Sequence, residues 1–545
     1  MTRRFPLPVF ASVAVLAALA LSSATLAHAA GNDDLSSQFR TASRCLVCHG
    51  KLKTADGKEA PFGLEWGASI MANSARDPYW QGSVRREVAD HPKAGAAIQT
   101  ECATCHMPLQ RLEDKAQGHD ETDVFKRLPL SAQNTQDDAA ADGVTCTVCH
   151  QIQSQGLGTP ASYDGNFAVA PLATTPRPVF GPYDESPAVT RVHVLTAGYA
   201  PIHSAHMSDP ALCGSCHTLY TTSYGPDGKP QGRFPEQMTY LEWKHSGYRE
   251  KETCQQCHMP AVAGKAAVAN VIAQPREGVL RHSFVGANFL MLGMLRSHHG
   301  DLAVAASPQQ LAAAATDTTA FLQSHSAKLS VASAQLSSGK LSFAVRVENL
   351  TGHKLPTAFP SRRAWLHVTV AAADGHIVFE SGKLNANGSI AGNANDADAA
   401  RYSPHYSTIT SASQVEIFEP ILGDSQGHVT TGVLSATHYL KDNRILPAGF
   451  DKKTASPDIA VHGKAAADPG FTAGASTTHY AVSTGSAAGP FRITAELEYQ
   501  PIGYRWAHNL EAYKSGETQA FVRDYQQAAA HSAVVLAHAA AATGK

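Results

Sequence analysis

Cys45-Leu-Val-Cys48-His49 decides how this chain is read. The same C-x-x-C-H pattern returns as Cys102-Ala-Thr-Cys105-His106, Cys146-Thr-Val-Cys149-His150, Cys213-Gly-Ser-Cys216-His217 and Cys254-Gln-Gln-Cys257-His258. These copies use all 10 cysteines of the 545-residue chain. Random order of this composition would give roughly a hundredth of one match. The spacing has a chemical reason. Two thiols two residues apart can add to the two vinyl groups of one haem, and the adjacent His reaches the iron from the same side. Disulfides would need no His after every second Cys. A zinc site would couple two C-x-x-C units, and the number of units here is odd. A thioredoxin-type site would occur once, in a βαβ context. The expected cofactors are therefore five covalently attached c-type haems (iron). The ten Cys are the attachment points, and His49, His106, His150, His217 and His258 are the proximal ligands.

Working outward, Arg3 and Arg4 precede an apolar stretch from about Val9 to Leu21 and the small-residue segment Ala27-His28-Ala29-Ala30. That is the layout of a secretory signal peptide over 1–29. No later segment is long and apolar enough to cross a bilayer. The expectation is a soluble protein that is periplasmic or otherwise exported, with no transmembrane segment after cleavage. Lys+Arg 44 against Asp+Glu 46 gives a formal charge of −2, which argues against a nucleic-acid partner. With 43% hydrophobic and 17% charged residues, the chain is globular and long enough for several domains. The 27 His are in excess, and axial ligation of haem iron would account for it.

With these motifs and flanks the chain resembles the periplasmic multihaem c-type cytochromes, here with five haems. The resemblance covers roughly Arg44–His299 and extends to Asn349-Leu-Thr-Gly-His-Lys-Leu-Pro-Thr357, which is similar to a G-H-x-x-P-T loop of such proteins. It implies a multidomain protein, with a mainly α/loop pentahaem domain over 30–305 in which porphyrins replace a conventional core. A linker helix should span 306–327, an all-β sandwich-like domain 328–502, and a C-terminal helix 503–545. The β assignment rests on alternation in Leu341–Val347, Trp365–Val370 and Phe491–Tyr499, and on the Asp374-Gly375 turn before Ile377-Val-Phe379. Helices are expected at Pro78–Gln99 and Asn288–Ser297, and loop over Gln151–Pro187.

Leu64-Glu-Trp-Gly-Ala-Ser69 echoes Leu241-Glu-Trp-Lys-His-Ser246. Each copy precedes a C-x-x-C-H-M-P segment, at Cys102–Pro108 and Cys254–Pro260, so the two read as copies of one haem-binding unit. In related cytochromes a W-x-x-S-x-H pattern supplies a distal His. Here Met71 and Tyr248 stand at that place. Candidate distal ligands are His206, His282 (read as opening a helix), His353, His91 and Met71. His193, His203 and His245 rank behind them, and His119, His298 and His299 lower.

A His or Met at the sixth position gives a saturated electron-transfer centre, whereas an open position binds small molecules. The leading expectation is an electron-transfer protein with redox partner proteins as donor and acceptor. The alternative is a multihaem oxidoreductase of a small nitrogen or sulfur compound at one open haem. Pentahaem nitrite reductases carry a C-x-x-C-K motif that this chain lacks.

Overall fold

The computed structural model describes residues 39–54, 57, 62–130 and 138–543. The expected signal peptide over 1–29 lies outside them. Among the described residues no helix is long and apolar enough to cross a membrane.

The N-terminal half is built of short helices and loops. Motif cysteines sit in or beside the helices Ala42–His49, Gly95–His106, Cys146–Cys149, Pro210–Gly214 and Cys254–His258. Helical spacing places the two Cys on one face, three residues apart, with the His one position further along the same stripe. The helix expected over Pro78–Gln99 is broken in two. Pro78–Asp90 ends at His91 (φ −128, ψ 59), and a 3₁₀ turn at Pro92–Ala94 leads into Gly95–His106. Pro92 lacks an N–H and disfavours the helical conformation in the residue before it. The segment Gln151–Pro187 is mostly loop. It also holds strand β1 (Arg177–Gly181), which runs parallel to β2 (Tyr199–His203). Strands β3 (Leu219–Tyr224) and β4 (Pro230–Gln237) form a hairpin.

The helix Pro308–His325 joins the halves, as the sequence predicts for 306–327. Ser307 and Gln310 form a capping box at its start. Two five-stranded sheets follow. In one, β6 (Lys340–Asn349) lies between β5 (Ala327–Ser337) and β15 (Ala475–Ser483), with β9 (Thr408–Ile409) and β14 (Phe471–Thr472) on the far edge of β15. In the other, β7 (Arg363–Ala371) pairs with β16 (Arg492–Gln500) and, on its other edge, with β8 (Ile377–Ser381) and β10 (Ile417–Phe418). A small third sheet holds β11 (Pro420–Asp424), β12 (Val429–Thr430) and β13 (Ala436–Asp442). Period-2 alternation sends Leu341, Phe343, Val345 and Val347 inward from one large sheet, and Leu366, Val368, Ile493, Ala495 and Leu497 inward from the other. They meet in one apolar core. Each of the Val, Leu, Ile and Phe side chains contributes about 1.5–3 kcal/mol by burial.

The chain end corrects the expectation of a C-terminal helix over 503–545. Helix stops at Ala528, and Val534–Ala542 is strand β17, antiparallel to β16 with Glu496 opposite His538. The Ala-rich composition favours helix locally. The open edge of β16 offers a full ladder of hydrogen bonds, and tertiary pairing outweighs propensity.

Candidate functional site

One continuous cavity of about 1720 Å³ runs through the N-terminal half and reaches the β-sheets. All ten Cys and the five motif His line it, together with His193, His282, His353 and Met71. Thiols of different motifs touch: Cys45 meets Cys146, Cys105 meets Cys216, and Cys213 meets Cys254. Cys149 lies close enough to Cys216 to feel its charge, although burial is the larger reason that its thiol is pushed up to about 12. The first motif therefore adjoins the third, and the fourth adjoins the second, third and fifth.

Four of the five motif histidines are gripped from behind. The Nδ1 of His150 donates to the Phe180 carbonyl (2.6 Å), and the Phe180 N–H returns a bond to the His150 carbonyl. His258 and Val285 make the same exchange, at 2.6 Å on Nδ1. His106 donates to the Ser74 carbonyl (2.9 Å) while Ser74 Oγ donates back to the His106 carbonyl. His49 donates to Val268 (2.6 Å). With Nδ1 committed to a carbonyl, the tautomer leaves the Nε2 lone pair for a metal, the usual arrangement at metal-ligating His. Burial pushes His106 down to about 4, so its ring is neutral at neutral pH, as a ligand must be.

Three of these rings have an imidazole opposite. The centroids of His150 and His282 are 6.3 Å apart with ring planes 15° apart. For His258 and His353 the values are 6.3 Å and 14°, and for His49 and His193 6.4 Å and 59°. Parallel rings in stacking contact bring carbons to about 3.5–4.0 Å, so these pairs leave a gap. Metal–nitrogen bonds of about 2.0–2.1 Å would put two rings about 6 Å apart across one ion. The facing rings are also oriented. His193 Nδ1 donates to Tyr199 and His353 Nδ1 to Lys354, both at 2.9 Å. Burial pushes His282 and His353 down to about 4. Among the described residues no imidazole pairs in this way with His106 or His217. Trp80 lies flat against His106 instead, with centroids 4.6 Å and planes 6° apart.

The cavity wall carries orphaned polar atoms. Trp80 Nε1, Thr145 Oγ1 and Ser283 Oγ are buried without a hydrogen-bond partner. A group with its own polar substituents, as haem has in its propionates, would satisfy such atoms. Thiol pairs, neutral imidazoles and orphaned donors together fit haem.

The echoed hexapeptides act as clasps. Trp66 Nε1 donates to the Val144 carbonyl, two residues before Cys146, and Trp243 Nε1 to the Glu252 carbonyl, two residues before Cys254. Glu65 accepts from Arg281 (Nε, 2.8 Å), the residue before His282. Glu242 accepts from the Lys354 N–H (3.1 Å), the residue after His353, and from Thr357 Oγ1 (2.6 Å). Each copy thus ties one attachment motif to the loop bearing the facing His. The first copy serves the third motif, which corrects the pairing with Cys102–Pro108 expected from sequence order. Behind the His353 loop, Lys354 binds Asp442 at 2.6 Å, and Arg444 bridges Asp442 and Glu242.

Several expected ligands stand elsewhere. His206 lies off the cavity, with Nδ1 bonded to Ser204 Oγ (2.6 Å) and Nε2 to the Ile152 carbonyl (2.8 Å), so neither nitrogen is free. His91 is buried against β13's approach, its Nε2 bonded to Ser435 Oγ at 2.9 Å. His245 is held by the Asp451 carbonyl and His203 by Asp184. Met71 lines the cavity, while its carbonyl accepts from Val144. His282 faces His150 from an irregular, non-helical segment; it does not open a helix, because that helix begins at Phe289. His193, ranked low from sequence, sits on the helix Pro187–Ala197, capped by Ser186 and closed by Gly198 in the left-handed region. Nothing local in the sequence marks it; only the fold sets it opposite His49. Tyr248, which stands where a distal His was sought, donates to the Leu350 carbonyl (2.8 Å) and packs behind Gly352.

No family model and no curated protein matches the chain. Among solved structures it is similar to a penta-haem cytochrome c552 from Thermochromatium tepidum, with 15% identity, 92% of this chain and 99% of that chain covered, and a TM-score of 0.49. At that level the likeness establishes neither fold nor function.

Proposed function

We propose that the chain is an exported pentahaem c-type cytochrome that passes electrons along closely packed, covalently bound haems to and from redox partner proteins. The observation that carries this reading is the set of three opposed imidazole pairs in a single cavity lined by all five motifs. Haem, when bound, supplies a one-electron iron centre at each motif. The chain's own residues do the rest. His49 with His193, His150 with His282, and His258 with His353 would saturate three irons and keep reorganisation small. The carbonyls behind His49, His150, His258, His193 and His353 fix the tautomers of those five rings. The thiol contacts order the sites as first, third, fourth, with branches to the second and fifth. His353 reaches the fifth motif from the β-sheet half, so that half clamps the array. Met71, at the cavity wall, keeps its place as a thioether candidate.

A second reading has one observation in its favour. His106 and His217 lack a facing imidazole among the described residues, which suits a haem open to a small nitrogen or sulfur compound. Carbon monoxide added to the reduced protein separates the two. A carrier with all sites saturated leaves the spectrum unchanged, and an open haem shifts it. Absence of covalently bound haem from the exported protein would end both readings.

A further inference from the structure

Away from the cavity, the outer face of the second large sheet carries an unusual cluster. His367 on β7 lies directly opposite Glu496 on β16, and Glu498 follows on the same face. Leu366, Val368, Ala495 and Leu497 point the other way into the core, so the parity of the strands holds His367, Glu496 and Glu498 on one side. The ligand atoms of these three residues lie within 4.8 Å of one another. His367 Nδ1 is 3.1 Å from Glu498 Oε1 and 3.4 Å from Glu496 Oε2, while Nε2 is 3.1 Å from Glu380 Oε1 on β8.

This arrangement concentrates negative charge around one imidazole. A neutral His367 that donates from Nε2 to Glu380 points its Nδ1 lone pair at two carboxylate oxygens. A proton on Nδ1 serves one of them along its axis and leaves the other short of a partner. Three carboxylates surround one imidazole, and Lys383 pairs with Glu380 at 3.5 Å. With His367 protonated, one negative charge remains over. A divalent cation beside a neutral imidazole balances the group. The separations of 3.1 and 3.4 Å also suit adjacent ligands on an ion with bonds of about 2.0–2.2 Å. The Nε2–Glu380 contact is the carboxylate–histidine arrangement that orients metal-ligating imidazoles. Exposures of 17% for His367, 11% for Glu498 and 36% for Glu496 leave the remaining coordination positions open to water.

We propose that His367, Glu496 and Glu498 bind a divalent transition-metal ion of the zinc class, with Glu380 as the residue that orients His367. One imidazole and two carboxylates match zinc's preference for mixed nitrogen and oxygen donors. The ion would cross-link β7 and β16 at the surface of the sheet. The proposal does not depend on the haem reading.

The test uses the full-length, haem-loaded protein, stripped with a chelator, titrated with zinc chloride against a competing chelator and then desalted for metal analysis. One equivalent of zinc should remain on the wild type, and the X-ray absorption edge should show nitrogen and oxygen neighbours without sulfur. His367→Asn should remove that equivalent. Glu380→Gln, outside the first ring of donors, should weaken it 10–100-fold. An unchanged haem spectrum and circular dichroism would show that the variants fold. If His367→Asn does not fold, Glu496→Gln replaces it. A wild type that retains no zinc, or variants that retain it equally, would overturn the proposal.

Discussion

His405 carries more of the β-sheet half's stability than any pattern in the sequence suggests. Its ring is enclosed, with Nδ1 2.6 Å from Glu416 and Nε2 2.7 Å from Asp468. Burial opposes its charge, but the two carboxylates outweigh burial and raise its pKa above the usual value. Because the folded pKa is raised, the stabilisation is complete below about pH 6.5 and is lost as pH rises through the raised value. Replacement by Gln removes the buried cation from between two carboxylates and should cost about 3–5 kcal/mol. Urea midpoints measured from mildly acidic to alkaline pH should fall with pH in the wild type, and this decline should vanish in the variant. The haem-facing residues have an equally local signature. His282→Ala and His353→Ala should each convert one low-spin haem to high spin and create one carbon monoxide site. His206→Ala should do neither, because both its nitrogens already serve the protein. An unchanged spectrum for His353→Ala would remove that residue from the ligand set.

At the scale of elements, the clasps should be separable from the ligands they hold. Glu242→Gln keeps the shape but weakens the grip on Lys354 N–H, Thr357 and Arg444. It should loosen the His353 loop and render the fifth haem partly high-spin, with the third unaffected; Glu65→Gln should do the reverse. Electron paramagnetic resonance of the two variants reads this directly. The start of the helix Pro308–His325 offers a plain stability test. Ser307→Ala removes half of a capping box and should cost about 1 kcal/mol in thermal or urea unfolding. Elements were legible where the pattern was local. The alternation of Leu341–Val347 becomes β6. The last strand was not legible, since Ala-rich Val534–Ala542 turns to strand through its pairing with β16 alone. The echo was visible as a repeat, but its partners were not. A hydrogen bond from Trp66 to Val144 joins residues far apart in the chain.

Across the whole molecule, chain order and spatial order diverge. The fourth motif, between the third and fifth in sequence, also touches the second through Cys216 and Cys105. An electron entering at the first site would pass the third and fourth before reaching either branch. The five motifs were readable from sequence, because C-x-x-C-H is a contiguous pattern. The facing residues were half-readable: His282 and His353 stood out through their loops, whereas His193 is set opposite His49 only by the packing of its helix. Low-temperature electron paramagnetic resonance of the oxidised full-length protein tests the central claim most directly. Near-parallel imidazole planes of 15° and 14° predict two rhombic low-spin haem signals, and the 59° pair predicts one strongly anisotropic low-spin signal. A spectrum without low-spin bis-imidazole haem, or without haem altogether, would contradict the account.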